Sequence, residues 1–123
     1  MSTARAPAAW LRDIVTACQQ IASYVARGRV AYDADPAILD ALVFQLITIG
    51  EAAKALQQAG FDERFPEVPW SAMARTRDRI AHHYFRLDRE IVWDTVTKDI
   101  PTLAPGAVAA LASLGTLPPS SQP

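Results

Sequence analysis

An all-α, up-down helical bundle is the fold this sequence predicts, with about four main helices and a short C-terminal one. Apolar residues recur at spacings of three and four along most of the chain, the signature of helices with one buried face. No alternating apolar–polar run longer than a few residues survives, so strands have no support. The 123 residues, half of them hydrophobic and a fifth charged, suit one domain around one core. No segment repeats. The helical domain is expected over residues 1–115, with residues 116–123 as a disordered tail.

Each element has its own signals. Leu11, Ile14, Cys18, Ile21 and Val25 mark the apolar stripe of a first helix, which Gly28 is expected to close as a C-terminal cap. Asp35-Pro36 reads as N-cap and first position of a second, long helix. Its stripe runs through Leu39, Leu42, Val43, Leu46, Ile47, Gly50, Ala53 and Leu56 and ends before Gly60. Pro66 and Pro69 punctuate a loop, after which Ser71 is expected to cap a third helix running through Met73, Arg77 and Ile80. A fourth starts at Asp88, where Leu87 and Val92 sit at the two positions of a hydrophobic staple. Pro101 and Pro105 are expected to interrupt it. Ala107 to Leu114 then forms the short last helix, and the terminal LPPSSQP reads as a frayed tail.

Charge and cysteine usage narrow the function classes. The formal net charge is −1, so the whole chain does not attract nucleic acid. Between Arg75 and Arg89, however, five arginines face two aspartates, leaving a local basic patch on an otherwise acidic domain. Cys18 is the only cysteine, so no disulfide forms within the chain and a reducing compartment fits. The N-terminus lacks a signal-peptide pattern and no apolar run approaches membrane-spanning length. The expected address is cytoplasmic, with no membrane contact.

The candidate chemistry lies in RTRDRIAHHYF, Arg75 to Phe85. Residues on a helix advance by about 100° each, so Arg77 and Tyr84, seven apart, share a face, while Asp78 and His82 are neighbours on another. Arg77 and His82, five apart, point roughly 140° away from each other. For both to act on one substrate, the helix must deform or a second chain must complete the site. Arg77 offers a permanently charged fork for a phosphate. A histidine can take up or release a proton near neutral pH, the property a general acid or base needs, which makes His82 the candidate, and Asp78 at i−4 is placed to orient its ring. Tyr84 is placed to bond a phosphate or stack on a base. The plainer reading gives a solvated arginine face, a structural role to His83 and a core position to Tyr84. Two adjacent histidines and one distant cysteine do not have the spacing of a zinc site, and no glycine-rich phosphate loop exists.

Arg77 to Tyr84 has the form R-x4-H-x-Y. This resembles the signature of HepT, the toxin half of the HepT/MntA toxin–antitoxin pairs in the HEPN superfamily. IGEAAKAL (Ile49 to Leu56), Pro69-Trp70 and EIVWDTVTKDIP (Glu90 to Pro101) resemble the family's other stretches, in the same order. The resemblance implies a HEPN-like bundle that forms a homodimer with two motifs facing one cleft. It implies a metal-independent endoribonuclease without cofactors, with Arg77 and His82 as catalytic residues and Asp78 and Tyr84 in support. Glu51 fills the acidic position of the second-helix motif, and His83 a variable place with no role. It further implies a nucleotidyltransferase antitoxin of the MntA kind that transfers AMP to Tyr84. A structured RNA with an exposed single-stranded loop, such as tRNA, is the expected substrate. The alternative is a non-catalytic helical module that engages a partner protein or RNA through the Arg75–Arg89 patch.

Overall fold

The computed structural model describes residues 5–83 and 86–115. The tail expected at 116–123 and the motif tyrosine, Tyr84, lie outside the described residues. Among those residues the chain is helical and contains no strand. The elements are α1 (Pro7–Val25), α2 (Arg29–Ala34), α3 (Pro36–Gln58), α4 (Phe61–Arg64), α5 (Trp70–His82), α6 (Arg89–Asp94) and α7 (Ile100–Gly115). A π-helical stretch, Thr95–Asp99, joins α6 to α7, so the last two helices form one rod.

The central element is α3, which packs against α1 on one side and α5 on the other, while α1 also packs against α7. Leu11, Ile14 and Ile21 of α1 meet Leu42, Leu46, Ile49, Ala53 and Leu56 of α3 in a continuous core. Trp70 and Met73 of α5 and Val92, Val96, Ile100 and Leu103 of the rod complete it. With 23 residues and a hydropathy of 1.4, α3 is apolar enough to cross a membrane by length and composition. That corrects the expectation of no such run. Its Leu42, Leu46 and Leu56, however, are buried in the core, as those of a core helix are.

Several boundaries behave as their residues require. The Asp35 carboxylate accepts from the Ala37 amide at 3.0 Å, with Pro36 in the first turn, and Asp88 likewise accepts from the Glu90 amide at 2.8 Å. Both satisfy an amide the helix itself leaves unbonded. Four expectations are overturned. Gly28 does not cap α1, which closes at Ala26; with φ of 90° it is the junction that starts α2. Ser71 does not cap α5, which begins one residue earlier, behind Pro69. Its hydroxyl instead accepts from Gln57 Nε2 at 2.8 Å, tying α5 to α3. Third, Pro105 lies inside a continuous α7, so no separate helix starts at Ala107. The buried face of α7, with Leu103, Ala107 and Ala110, holds the helix together across the missing amide.

The fourth correction is the pair of short helices. Tyr32 of α2 is fully buried, packs against Trp93 in a tilted pair with ring centroids 4.7 Å apart, and donates to the Arg89 carbonyl at 2.8 Å. Arg89 returns a bond to the Tyr32 carbonyl at 2.8 Å, and Arg29 pairs with Glu90. These contacts clasp α2 to the start of the rod. Phe61 of α4, buried beside Phe65 and Trp70, plugs the turn after α3.

Candidate functional site

Arg77 sits in the middle of α5 against α3, and the closeness of that approach depends on Gly50. A Cβ at Gly50 would lie 2.0 Å from Arg77 Cβ and 3.0 Å from the Met73 carbonyl oxygen. Only hydrogen fits there. One residue further along α3, Glu51 Oε2 receives Arg77 Nη2 at 2.6 Å. On the other side Arg77 Nη1 meets Asp78 Oδ1 at 3.2 Å, and Lys54 Nζ donates to the same oxygen at 3.3 Å. Glu51, Arg77, Asp78 and Lys54 thus form a chain of alternating charge across the α3–α5 seam. The bond with Asp78 and the nearby Glu51 carboxylate raise the Arg77 pKa further above its ordinary value. Hydrogen bonds from Lys54 first and then Arg77 hold the Asp78 carboxyl below the usual carboxylate range. Arg77 Nε, buried in the seam, has no hydrogen-bond partner among the described residues.

His82 closes α5. Its Nδ1 lies 2.8 Å from the Asp78 main-chain oxygen. A carbonyl oxygen only accepts, so Nδ1 carries the proton, and in the neutral ring Nε2 is the bare atom. The ring is therefore oriented by the backbone of Asp78. The Asp78 carboxylate, expected to orient it, is taken up by Lys54 and Arg77. His83 is exposed just beyond the helix end.

The structure thus joins Glu51, Arg77 and Asp78 directly and places His82 on the same helix, one turn from Asp78. Tyr84 lies outside the described residues. Two contributors escaped the sequence reading. Gly50 had a signal: a glycine in the middle of a helix costs about 1 kcal/mol relative to alanine and so asks for a packing reason. Lys54 had a weaker one, its place three residues after Glu51 on the same helix face. Among the described residues no group of three or more His, Cys, Asp or Glu side chains gathers as a metal-ligand set.

A family model described as Ribonuclease HepT-like matches residues 14–108, from the middle of α1 to the middle of α7. The chain belongs to the HepT-like ribonuclease family. Among its relatives, a Thermococcus cleftensis protein named "Probable ribonuclease HepT" is 44% identical over 63 residues, 51% of this chain and 56% of that one. A Methanocaldococcus jannaschii protein and a Caldanaerobacter subterraneus protein both carry the name "Putative RNase". They are 46% identical over 61 residues (50% of each chain) and 42% identical over 69 residues (56% of this chain, 61% of the other). The matched stretch spans about half the length of these relatives. No solved structure matches the chain. The all-α bundle is the HEPN-like fold that HepT resemblance implies, and the Arg77–Glu51 seam is where the chain's HepT-like motif helix meets its second-helix stretch.

Proposed function

We propose that this protein is a metal-independent endoribonuclease acting as the toxin of a toxin–antitoxin pair. The observation that carries the reading is the His82 ring, with Nδ1 committed to a carbonyl and Nε2 left for proton transfer. In the proposed step the ribose 2′-OH attacks the adjacent phosphorus. His82 Nε2 takes the hydroxyl proton as the new P–O bond forms, and the bond to the 5′-oxygen breaks. The products are a 2′,3′-cyclic phosphate and a 5′-hydroxyl end, the leaving oxygen taking a proton from water or from a second protonated histidine. Arg77 stabilises the charge that builds on the non-bridging oxygens. A phosphate must draw that arginine from Glu51 and Asp78, so the seam holds the guanidinium in place before the substrate arrives.

Two supports favour a homodimer. Arg77 and His82 diverge by roughly 140° around α5, which two chains facing one cleft would reconcile. Phe44, two turns before Glu51 and thus on the same face of α3, is 65% exposed. We further propose that a nucleotidyltransferase partner silences the protein by joining AMP to the Tyr84 hydroxyl, placing a phosphate and a nucleoside beside Arg77. Cytoplasmic RNA, tRNA included, is the proposed substrate.

The test is cleavage of single-stranded RNA in EDTA. His82→Ala should lower the rate by at least 100-fold, within the range general acid–base groups contribute, while RNA binding persists. Unchanged cleavage in that variant, or activity abolished by chelation, ends the reading. A protein that binds RNA and leaves it intact is a binding module instead. For silencing, intact mass after co-expression with the partner should rise by AMP units, and Tyr84→Phe should prevent the rise. An inactive complex of unchanged mass would replace modification with occlusion.

A further inference from the structure

The face of α5 away from Glu51 carries a second constellation, which rests on the ribonuclease reading and deepens it. Arg75, Arg79 and His83 follow one another at intervals of four, and His82 lies beside Arg79 and His83, so they form one exposed ridge. Among the described residues neither Arg75, Arg79 nor Arg86 has an ion-pair partner, in contrast to Arg77 with its two carboxylates. The ridge borders a cavity of about 180 Å³ between α5 and α6. Leu46, Ile80 and Val92 line its apolar interior, and Arg79, His83 and Arg86 line it too. Asp88, the one carboxylate there, is occupied in capping α6. An apolar groove continues from this cavity along α5 towards Met73 and Leu103, sharing Leu46, Thr76 and Thr95. That continuation is lined by Asp99 and contains no cation.

An apolar cavity edged with unpaired guanidinium groups suits a ligand with a flat apolar body and anionic linkers. Its volume falls below the ~300–1,000 Å³ of pockets for drug-sized ligands, and one planar ring system matches it better. Single-stranded RNA presents that combination once per nucleotide, and positive grooves with base pockets are how such strands are held. His83, which lines the cationic end, follows His82 in sequence, so a strand held there lies at the end of α5 that carries the proton-transfer residue.

We propose that this cavity is the subsite for one unpaired nucleobase of the RNA cleaved at His82, with Arg79 and Arg86 holding the flanking phosphates. The subsite explains how a chain of net charge −1 selects single strands: a duplex keeps its bases stacked and cannot insert one. His83, adjacent in sequence to the proposed general base and lining the cavity, belongs to this base site.

The experiment measures binding of the full chain to a short single-stranded RNA carrying 2′-O-methyl groups, which lack the attacking hydroxyl. Arg79→Ala and Arg86→Ala should each weaken binding about tenfold and reduce the salt slope by ~0.7 per lost phosphate contact. Ile91→Glu, at a half-exposed position lining the cavity, should weaken it without touching the core. Oligonucleotides missing one base at a time should show one position where wild-type affinity falls about tenfold, and Ile91→Glu should erase that dependence. Circular dichroism of each variant separates a binding loss from unfolding. Full affinity in all three folded variants, or indifference to every missing base, overturns the subsite. If unmodified RNA is still cleaved in a His82-dependent way, the nuclease reading survives that result. A base dependence that Ile91→Glu erases, alongside RNA left uncleaved or cleaved without His82, would instead overturn the nuclease reading alone.

Discussion

Gly50 shows how one missing side chain governs the site. Replacing a mid-helix glycine with alanine ordinarily stabilises by about 1 kcal/mol. Here the added methyl would sit 2.0 Å from Arg77 Cβ, and overpacking of that kind costs about 1–3 kcal/mol or more. The clash wins. Gly50→Ala is expected to lower the thermal midpoint and to displace Arg77, reducing cleavage as well. Gly115→Ala, with nothing within 4 Å, should leave both unchanged. A thermal melt of the two variants side by side checks the contrast. Elsewhere a single side chain is inert: burial pushes the Cys18 thiol up to about 11, leaving little thiolate at neutral pH.

At the level of elements, the long helices were legible because periodicity and caps agree with packing. The stripe from Leu11 to Val25 and the Asp35-Pro36 and Asp88 starts all point the same way. The short helices were not, because six residues in α2 and four in α4 carry no periodicity; Tyr32 and Phe61 hold them by tertiary contacts. The π stretch was hidden for a related reason. Thr95 and Thr97 donate to the carbonyls four residues back, at 2.7 Å each, and such bonds loosen a helical ladder in a way composition does not reveal. For the site, the R-x4-H spacing was readable, whereas the carboxylate pairing of Arg77 depends on how α3 lies against α5. Pro105 misled because local rules end a helix there, while burial of Leu103 and Ala107 carries α7 through. Pro105→Ala should therefore stabilise the protein, by up to about 3 kcal/mol, read as a higher denaturant midpoint with an unchanged slope.

On the scale of the whole molecule, the face of α3 that bears Glu51 also bears Phe44, an aromatic ring left 65% exposed. In the proposed symmetric dimer this ring is covered and the two motif helices come together. Phe44→Glu would place a charge at that contact. It is expected to give a folded monomer at micromolar concentration in sedimentation, with cleavage lost although His82 is untouched. A monomeric wild type with full activity would remove the dimer from the mechanism. The proposed strand site belongs to the same scale: a basic ridge on an otherwise acidic surface would attract a strand locally while leaving long duplexes unheld.

The clasp between α2 and the rod has an optical consequence. Trp70 is buried in the core with its Nε1 bonded to the Phe65 carbonyl at 2.9 Å, while Trp93 packs tilted against Tyr32. Tryptophan emission, to which Trp70 contributes the fully buried fluorophore of three, reports the interior, and the near-ultraviolet dichroism of the Tyr32–Trp93 pair reports the seating of α2. Followed together through a denaturant series, coincident curves would mean that clasp and core release as one unit. A dichroic signal that fades first would mark α2 as the piece that detaches before the bundle opens.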